Sequence, residues 1–394
     1  MAGRRWGSGV VALVLLLAAL VGCGGPSATD RATADVQRLL DRRAAAVVDR
    51  DERAYARTGA GTDFGWLRAV PVADWSYRVT ALRRDGDTAT ADAELRYSVA
   101  GYDRAPVTAG RTLRLSRDAD GRWSVVEDRP ARKSAQQLWD QGTVRIMRGT
   151  HSLVLGVGQS DRSLRGFADL ADRAVPAVSE AWGAQWSRRV VVLVPKSLEG
   201  MAGLLGSPAS SYRGIAAVTT GETGAPARAP ADRVIVNPDA FALLGSLGEQ
   251  VVVTHETTHV ATRSRTTAAT PLWLSEGFAD WVGYRAVGRT PAEAAPELAR
   301  AVDRDRLPAA LPSDRDFGFT GDASRLARAY ESGWTACRMI ADRWGESRLR
   351  AFYRAVGEHG KRDGAVEQAM REVLGTTPEA FTREWRGYLR TQLG

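Results

Sequence analysis

The most informative part of this chain is the pentapeptide His255-Glu256-Thr257-Thr258-His259. An α-helix turns once in about 3.6 residues, so two histidines spaced by four positions lie on one face of a helix. Two imidazoles in that arrangement can bind one Zn²⁺ ion, and the adjacent carboxylate can reach a water on the metal. In a β-strand, which the neighbouring Val and Thr residues also favour, the histidines would lie about 13 Å apart. The spacing predicts a zinc-binding helix; the alternative is a surface helix with two unrelated histidines.

A catalytic zinc site needs a third protein ligand, and the segment 271–281, which reads PLWLSEGFADW, offers Glu276. Ser275 is placed to cap a second helix there. Asp280 lies one turn after Glu276 and is placed to accept the second N–H of a ligand histidine, which would fix its tautomer. The alternative for Glu276 is a solvated first-turn carboxylate favoured by the helix dipole. The buried stripe of this second helix is predicted to contain Leu274, Phe278, Trp281 and Val282.

The pair HETTH and WLSEGFADW resembles the gluzincin branch of zinc metallopeptidases, whose broad relatives include thermolysin. More closely, it resembles the peptidase MA-like domains of bacterial secreted proteins and lipoproteins, over about residues 136–394. The resemblance implies that His255, His259 and Glu276 bind one zinc ion per chain, that Glu256 is the general base, and that Asp280 orients a ligand histidine. The aminopeptidase relatives carry a Gly-Ala-Met-Glu-Asn motif upstream of the histidines. This chain lacks that motif, so an aminopeptidase is not predicted.

The resemblance also implies a reaction. Zinc lowers the pKa of a bound water to about 7, and Glu256 would take a proton as the hydroxide attacks a peptide carbonyl. The oxyanion then needs a further donor. A Tyr after the third ligand often has this role in related peptidases, which makes Tyr330 the candidate and His151 a weaker one. The alternative for Tyr330 is core packing, because it starts a helical stripe with Trp334, Cys337, Ala341 and Trp344.

The N-terminus predicts export from the cytoplasm. Arg4 and Arg5 precede a short apolar run at residues 10–21, which suits a signal-peptide core and is too short to span a bilayer comfortably. Leu20-Val21-Gly22-Cys23 resembles a bacterial lipobox, which implies that residues 1–22 are removed and that Cys23 carries lipid. The alternative is an ordinary secretory signal cleaved nearby. Lipidation would hold the protein on the outer face of the plasma membrane.

Composition narrows the source and the partners. Lys occurs only at positions 133, 196 and 361, so almost all of the 54 basic residues are Arg, which is typical of GC-rich bacterial genomes such as those of actinobacteria. The net charge of +8 is spread along the chain and mixed with acids, so no nucleic-acid partner is predicted. The two cysteines are Cys23 and Cys337. With Cys23 acylated there is no disulfide framework, and we expect Cys337 to be inert packing.

The remaining pattern predicts an α+β chain in which a first domain precedes the peptidase. Residues 23–34 are predicted as a tether, and residues 35–130 as a long helix at 32–57 followed by a curved antiparallel sheet. This order resembles the nuclear transport factor 2-like cone fold, which implies docking, spacing or ligand sensing. The predicted strands lie near residues 77–79, 91–97, 108–116 and 123–126.

Residues 129–133 are the predicted linker to the peptidase domain, residues 136–394, which would contain a small sheet followed by a helical subdomain. In gluzincins an edge strand holds the extended substrate by β-augmentation. Val234-Ile235-Val236-Asn237 is predicted to be that edge. The predicted strands are 151–155, 189–194, 215–219 and 233–236, and the predicted helices are 163–182, 197–205, 246–264, 274–288, 322–344 and 346–393 with breaks.

Three functional hypotheses follow. The leading one is a membrane-tethered, zinc-dependent endopeptidase that acts on peptide or protein substrates outside the cell. The second is a lipoprotein whose first domain binds a ligand or partner and whose peptidase fold is non-catalytic. The third is zinc-dependent hydrolysis of a non-peptide amide, such as a cell-wall link. The presence of all three ligands and of Glu256 favours catalysis, because a degenerate site usually loses one of them first.

Overall fold

The computed structural model describes residues 28–60, 63–221, 229–318 and 323–394. Cys23, the predicted signal peptide and the first part of the predicted tether lie outside the described residues. Within the described ranges, no helix is long and apolar enough to cross a membrane. The fold is α+β with two sheets and a helical C-terminal part, so the predicted fold class is confirmed.

The N-terminal part consists of a long helix packed on a four-stranded antiparallel meander. The predicted helix at 32–57 is wrong in its length. The first helix ends at Val48, Arg50 has a positive φ of 57°, and Asp51 caps a separate short helix through the backbone N–H of Ala54. The strands are longer than predicted. The elements are α1 (Ala28–Val48), α2 (Glu52–Ala56), α3 (Phe64–Leu67), β1 (Val72–Asp85), β2 (Thr88–Val99), β3 (Val107–Arg117) and β4 (Trp123–Pro130).

The second sheet has five strands in the order β5-β6-β7-β9-β8. Its first strand, β5, was not predicted. A 3-10 turn at Leu138–Gln141 leads into the sheet. The elements are β5 (Val144–Arg148), β6 (Ser152–Val157), α4 (Asp161–Trp182), β7 (Val190–Val194), α5 (Leu198–Leu205), β8 (Ala217–Thr219), β9 (Arg233–Val236) and α6 (Pro238–Phe241).

The prediction of an edge strand at residues 234–237 is wrong. β9 lies between β7, with which it is parallel, and β8, with which it is antiparallel. Val234, Ile235 and Val236 are buried because an interior strand is covered on both faces. Among the described residues, the edges of the sheet are β5 and β8, and β8 has only three residues.

The helical part carries the pentapeptide on its first helix. The prediction that Ser275 caps α8 is wrong. Pro271 is the N-cap, so the helix begins before Ser275. α9 and α10 were not predicted. The elements are α7 (Ser246–Thr262), α8 (Leu272–Tyr284), α9 (Pro291–Ala294), α10 (Pro296–Asp303), α11 (Ala323–Trp344), α12 (Glu346–Glu358), α13 (Ala365–Ala369), which continues into a π-turn at Met370–Leu374, and α14 (Pro378–Leu393).

The two faces of the second sheet contact different partners. Side chains alternate between the faces of a strand. Val154, Val192 and Val234 pack with helices α4 and α7 on one face. Leu155, Val191 and Ile235 join the core of the N-terminal sheet on the other. Helix α7 and the N-terminal sheet therefore lie on opposite faces of the second sheet.

Candidate metal centre

Helices α7 and α8 bring three possible metal ligands together. Nε2 of His255 lies 3.0 Å from Nε2 of His259 and 3.3 Å from one carboxylate oxygen of Glu276. The other carboxylate oxygen of Glu276 lies 3.6 Å from Nε2 of His259. Ligand atoms about 2.0–2.2 Å from a tetrahedral zinc ion are separated by roughly 3.3–3.6 Å. The three side chains therefore fit zinc in both donor type and spacing. They form the only such group of His, Cys, Asp and Glu in the described parts of the chain.

Asp280 fixes the orientation of His255. Oδ1 of Asp280 lies 2.8 Å from Nδ1 of His255, which leaves Nε2 directed at the other ligands. Burial lowers the pKa of His255, but the carboxylates of Asp280 and Glu276 raise it well above its ordinary value. Burial raises the pKa of Glu276, but the two imidazoles hold it well below the ordinary value. The site is electrostatically arranged for a positive charge between the three ligands.

Glu256 projects from the same helix and is held by the edge strand. Oγ1 of Thr219 lies 2.6 Å from Oε2 of Glu256 and 3.0 Å from its backbone oxygen, so the hydroxyl can donate to either. Glu256 is buried, with 7% of its surface exposed. Strand β8 therefore fixes the carboxylate beside the histidines. Thr219 could not be predicted from the sequence, because a single Thr distant from the pentapeptide gives no local signal.

Tyr330 on α11 also faces the site. It lines one cavity of about 340 Å³ together with His255, Glu256 and Glu276. Its ring packs edge-on against Phe317. Burial raises the pKa of Tyr330 well above its ordinary value, and the carboxylate of Glu276 adds to this effect, so the hydroxyl keeps its proton. The position of the hydroxyl suits a hydrogen-bond donor. The ring also packs against the helical core, in agreement with the alternative prediction of core packing.

A close crossing of α8 and α11 sets this arrangement. A Cβ atom on Gly277 would lie 2.3 Å from the backbone of Gly333, and one on Gly333 would lie 2.6 Å from the backbone oxygen of Trp273. The two helices can approach so closely because both positions are glycine and carry no Cβ atom. Glu276 immediately precedes the first glycine, and Tyr330 lies one turn before the second.

Other predicted residues lie elsewhere. His151 is not among the residues that line the site, and its backbone N–H donates to Asp172. Cys337 is fully buried in the helical core, and burial raises the pKa of its thiol well above the ordinary value, consistent with inert packing. Cys23 lies outside the described residues. Arg263, which was not predicted, lines the site one turn after His259 and pairs with Asp232.

No protein-family model and no curated protein matches the chain. Among solved structures, yeast LTA4 hydrolase is similar over 70% of this chain and 43% of its own, with 13% identity and a TM-score of 0.38. A mutant two-domain M1 zinc metallopeptidase bound to L-arginine matches over 83% of this chain and 94% of its own, at 12% identity and a TM-score of 0.38. A mutant M1 zinc metallopeptidase from Deinococcus radiodurans matches over 81% of this chain and 93% of its own, at 13% identity and a TM-score of 0.36.

Proposed function

We propose that this chain is a zinc-dependent endopeptidase that acts outside the cytoplasm on peptide or protein substrates. The observation that carries the proposal is the spacing of His255, His259 and Glu276, with Glu256 buried beside them. This set provides a three-ligand metal site and a general base in one cavity. A non-catalytic fold would not need to keep a buried carboxylate next to the ligands.

Each residue has a distinct part in the proposed reaction. His255, His259 and Glu276 would hold the zinc ion, which would supply a Lewis acid to lower the pKa of a water molecule and polarise a carbonyl oxygen. Glu256 accepts a proton from the attacking water and returns it to the nitrogen of the leaving amine, so that the peptide C–N bond breaks. Tyr330 donates a hydrogen bond to the developing oxyanion. Strand β8 has one edge that pairs with no other strand in the described parts of the chain, and this edge would bind an extended substrate backbone.

The proposal is tested on the chain without its predicted signal peptide, with Cys23 replaced. Elemental mass spectrometry should find about one zinc per chain. Glu256→Gln should abolish hydrolysis in a peptide library while zinc stays bound, because the base is lost and the ligands are not. Glu249→Gln, on the same helix outside the site, is the matched control and should cleave normally. Unchanged turnover in Glu256→Gln would sink the proposal.

Tyr330→Phe separates catalysis from packing. The ring and its contact with Phe317 remain, and only the hydroxyl is removed. We expect kcat to fall roughly a hundredfold to a thousandfold, the usual cost of losing one oxyanion donor. The melting temperature should stay near that of the parent chain. An unchanged kcat would assign Tyr330 to the core alone.

The proposal includes attachment to the outer face of the plasma membrane through lipid on Cys23. In a bacterial host, the full chain should fractionate with membranes, and Cys23→Ser should release it. A lipid anchor would restrict substrates to those near the membrane surface. Hydrolysis that fails on every peptide but occurs on a cell-wall amide would favour the third hypothesis. Zinc binding without any turnover would favour a binding lipoprotein.

A further inference from the structure

A second and larger cavity lies between the N-terminal sheet and the peptidase sheet. Its volume is about 590 Å³, within the usual range for ligand-binding pockets. It lies on the face of the second sheet opposite to α7. Its walls come from both domains and are mostly apolar. They include Tyr97, Val99 and Val107 from the N-terminal domain, Trp139 from the connecting turn, and Leu193 and Ile235 from the second sheet.

This cavity adjoins the cavity of the candidate metal centre. Both cavities are lined by the same three residues, Thr220, Gly221 and Arg263. Nη1 of Arg263 lies 2.5 Å from Oδ1 of Asp232. A Cβ atom on Gly221 would lie 1.4 Å from the same Arg263 nitrogen, so only glycine leaves room for this ion pair. A thin partition at the end of β8 therefore separates the two cavities.

The alternation of side chains along a β-strand would direct some side chains of a bound peptide towards this cavity. A peptide that pairs with the free edge of β8 becomes a sixth strand of the sheet, and its side chains alternate between the two faces. Those on one face point towards α7 and the metal centre. Those on the other face point towards the N-terminal domain. At the Thr219–Gly221 end of the edge, that second face is where the 590 Å³ cavity lies.

The charges beside the cavity are already paired. Asp103 forms two hydrogen bonds with the guanidinium of Arg233, and Asp232 contacts Arg263. A charged side chain that entered would lose its hydration without gaining an unpaired opposite charge. A large apolar side chain would instead bury its surface against aromatic and aliphatic walls. The chemistry of the lining thus selects one class of occupant.

We propose that the interdomain cavity binds a bulky apolar side chain of the peptide substrate, on the opposite strand face from the residues at the metal centre. This inference rests on the proposed peptidase function. It gives the N-terminal domain a part in substrate selection, because Tyr97, Val99 and Val107 complete a pocket that the peptidase sheet cannot close alone.

Filling the cavity tests the inference. Val107→Trp places a large ring at its wall, and Val126→Trp makes the same change on β4, outside the cavity. Two peptides share one scissile sequence, and only the longer one extends with Phe residues along β8. The kcat/KM ratio of the long to the short peptide should fall about tenfold to a hundredfold in Val107→Trp, which matches burial of one large apolar side chain. Val126→Trp should keep the parent ratio.

A binding measurement separates this inference from the proposed reaction. Calorimetry on the folded Glu256→Gln chain uses the long peptide with Phe or with Ser in the extension. Tighter binding of the Phe peptide by about tenfold or more, lost in the double variant with Val107→Trp, supports the cavity even if the parent chain cleaves nothing. Equal binding of the Phe and Ser peptides overturns it, even if peptides are cleaved. Because the peptide series needs no cavity variant, a misfolded Val107→Trp does not block the test.

Discussion

At the scale of single residues, the hydroxyl of Thr219 donates a hydrogen bond to the carboxylate of Glu256, the candidate base. Oγ1 of Thr219 lies 2.6 Å from Oε2 of Glu256. Thr219→Val keeps the side-chain shape and removes the donor. A hydrogen bond to a charged group contributes about 1.5–3 kcal/mol, so we expect kcat to fall roughly tenfold to a hundredfold, with little change in KM. Steady-state kinetics checks this, and Thr219→Ser should restore kcat. A loss that Ser does not restore would mean that Thr219 acts through packing.

The second prediction at this scale concerns the orientation of a ligand. Asp280→Ala removes the acceptor that lies 2.8 Å from Nδ1 of His255. The imidazole then loses its fixed tautomer and direction, and we expect zinc affinity to fall about tenfold to a hundredfold. Competition with a chelator of known affinity measures this. Asp169→Ala, an exposed residue of α4, is the matched control. Equal zinc affinity in both variants would contradict the role of Asp280.

The sequence predicts side chains that lie along one helix and misses those that meet across the fold. His255, Glu256 and His259 are placed by the helical period alone, and the spacing of Glu276 and Asp280 on α8 follows the same rule. Thr219 reaches Glu256 from a strand that lies 37 residues away in sequence. Nothing in the composition around Thr219 marks it, because its role depends on which strand forms the edge of the sheet.

At the scale of elements, the crossing of α8 and α11 holds Glu276 in place. A methyl group on Gly277 would lie 2.3 Å from the backbone of Gly333, so Gly277→Ala must push the helices apart. We expect a loss of about 1–3 kcal/mol in the free energy of unfolding, together with weaker zinc binding, because the ligand is the preceding residue. Denaturant unfolding and a chelator titration measure the two effects.

The control for this change is Gly387→Ala on α14. Apart from the neighbouring residues and the backbone of its own helix, no heavy atom would lie within 4 Å of the new methyl group, and Gly387 is exposed. Alanine is the better helix former, so this variant should gain up to about 1 kcal/mol. If Gly277→Ala behaved like Gly387→Ala, the close crossing would not control the site.

Elements differ in how well a sequence predicts them. The long helices α4, α7 and α11 were found within a few residues, because an apolar stripe over many turns is a strong local signal. The edge strand was assigned wrongly, because strand order depends on pairing between distant segments. β9 is a continuous apolar run, which fits an interior strand, while β8 has only three residues to carry a signal. α9 and α10 begin at prolines in a stretch that resembles a loop.

At the scale of the whole molecule, the N-terminal sheet and the second sheet contribute to one buried hydrophobic cluster. Leu95 and Leu113 of the first sheet belong to the same buried cluster as Leu155 and Ile235 of the second. The segment 129–133, predicted as a linker, begins within β4. The two parts are therefore packed against each other along the interdomain cavity. Their relative position matters for any substrate that contacts both.

Breaking the buried ion pair between Asp103 and Arg233 in this interface should lower the free energy of unfolding strongly. The carboxylate of Asp103 is fully buried and accepts hydrogen bonds from Arg233 at 2.8 and 2.9 Å and from the backbone N–H groups of Val99 and Ala231. Asp103→Ala leaves the buried guanidinium without its partner. We expect the free energy of unfolding to fall by about 3–5 kcal/mol, as for other broken buried pairs.

Two further variants show whether the missing charge causes this loss. Asp92→Ala breaks an exposed pair with Arg83 in the same domain and should cost less than about 1 kcal/mol. The double variant Asp103→Ala with Arg233→Met removes both charges of the buried pair. It should be more stable than Asp103→Ala alone, because no unpaired charge remains in the interface. Denaturant unfolding followed by tryptophan fluorescence compares all four chains. If the double variant is the less stable one, Arg233 stabilises the interface through contacts other than Asp103, such as its hydrogen bond to the backbone oxygen of Ala231.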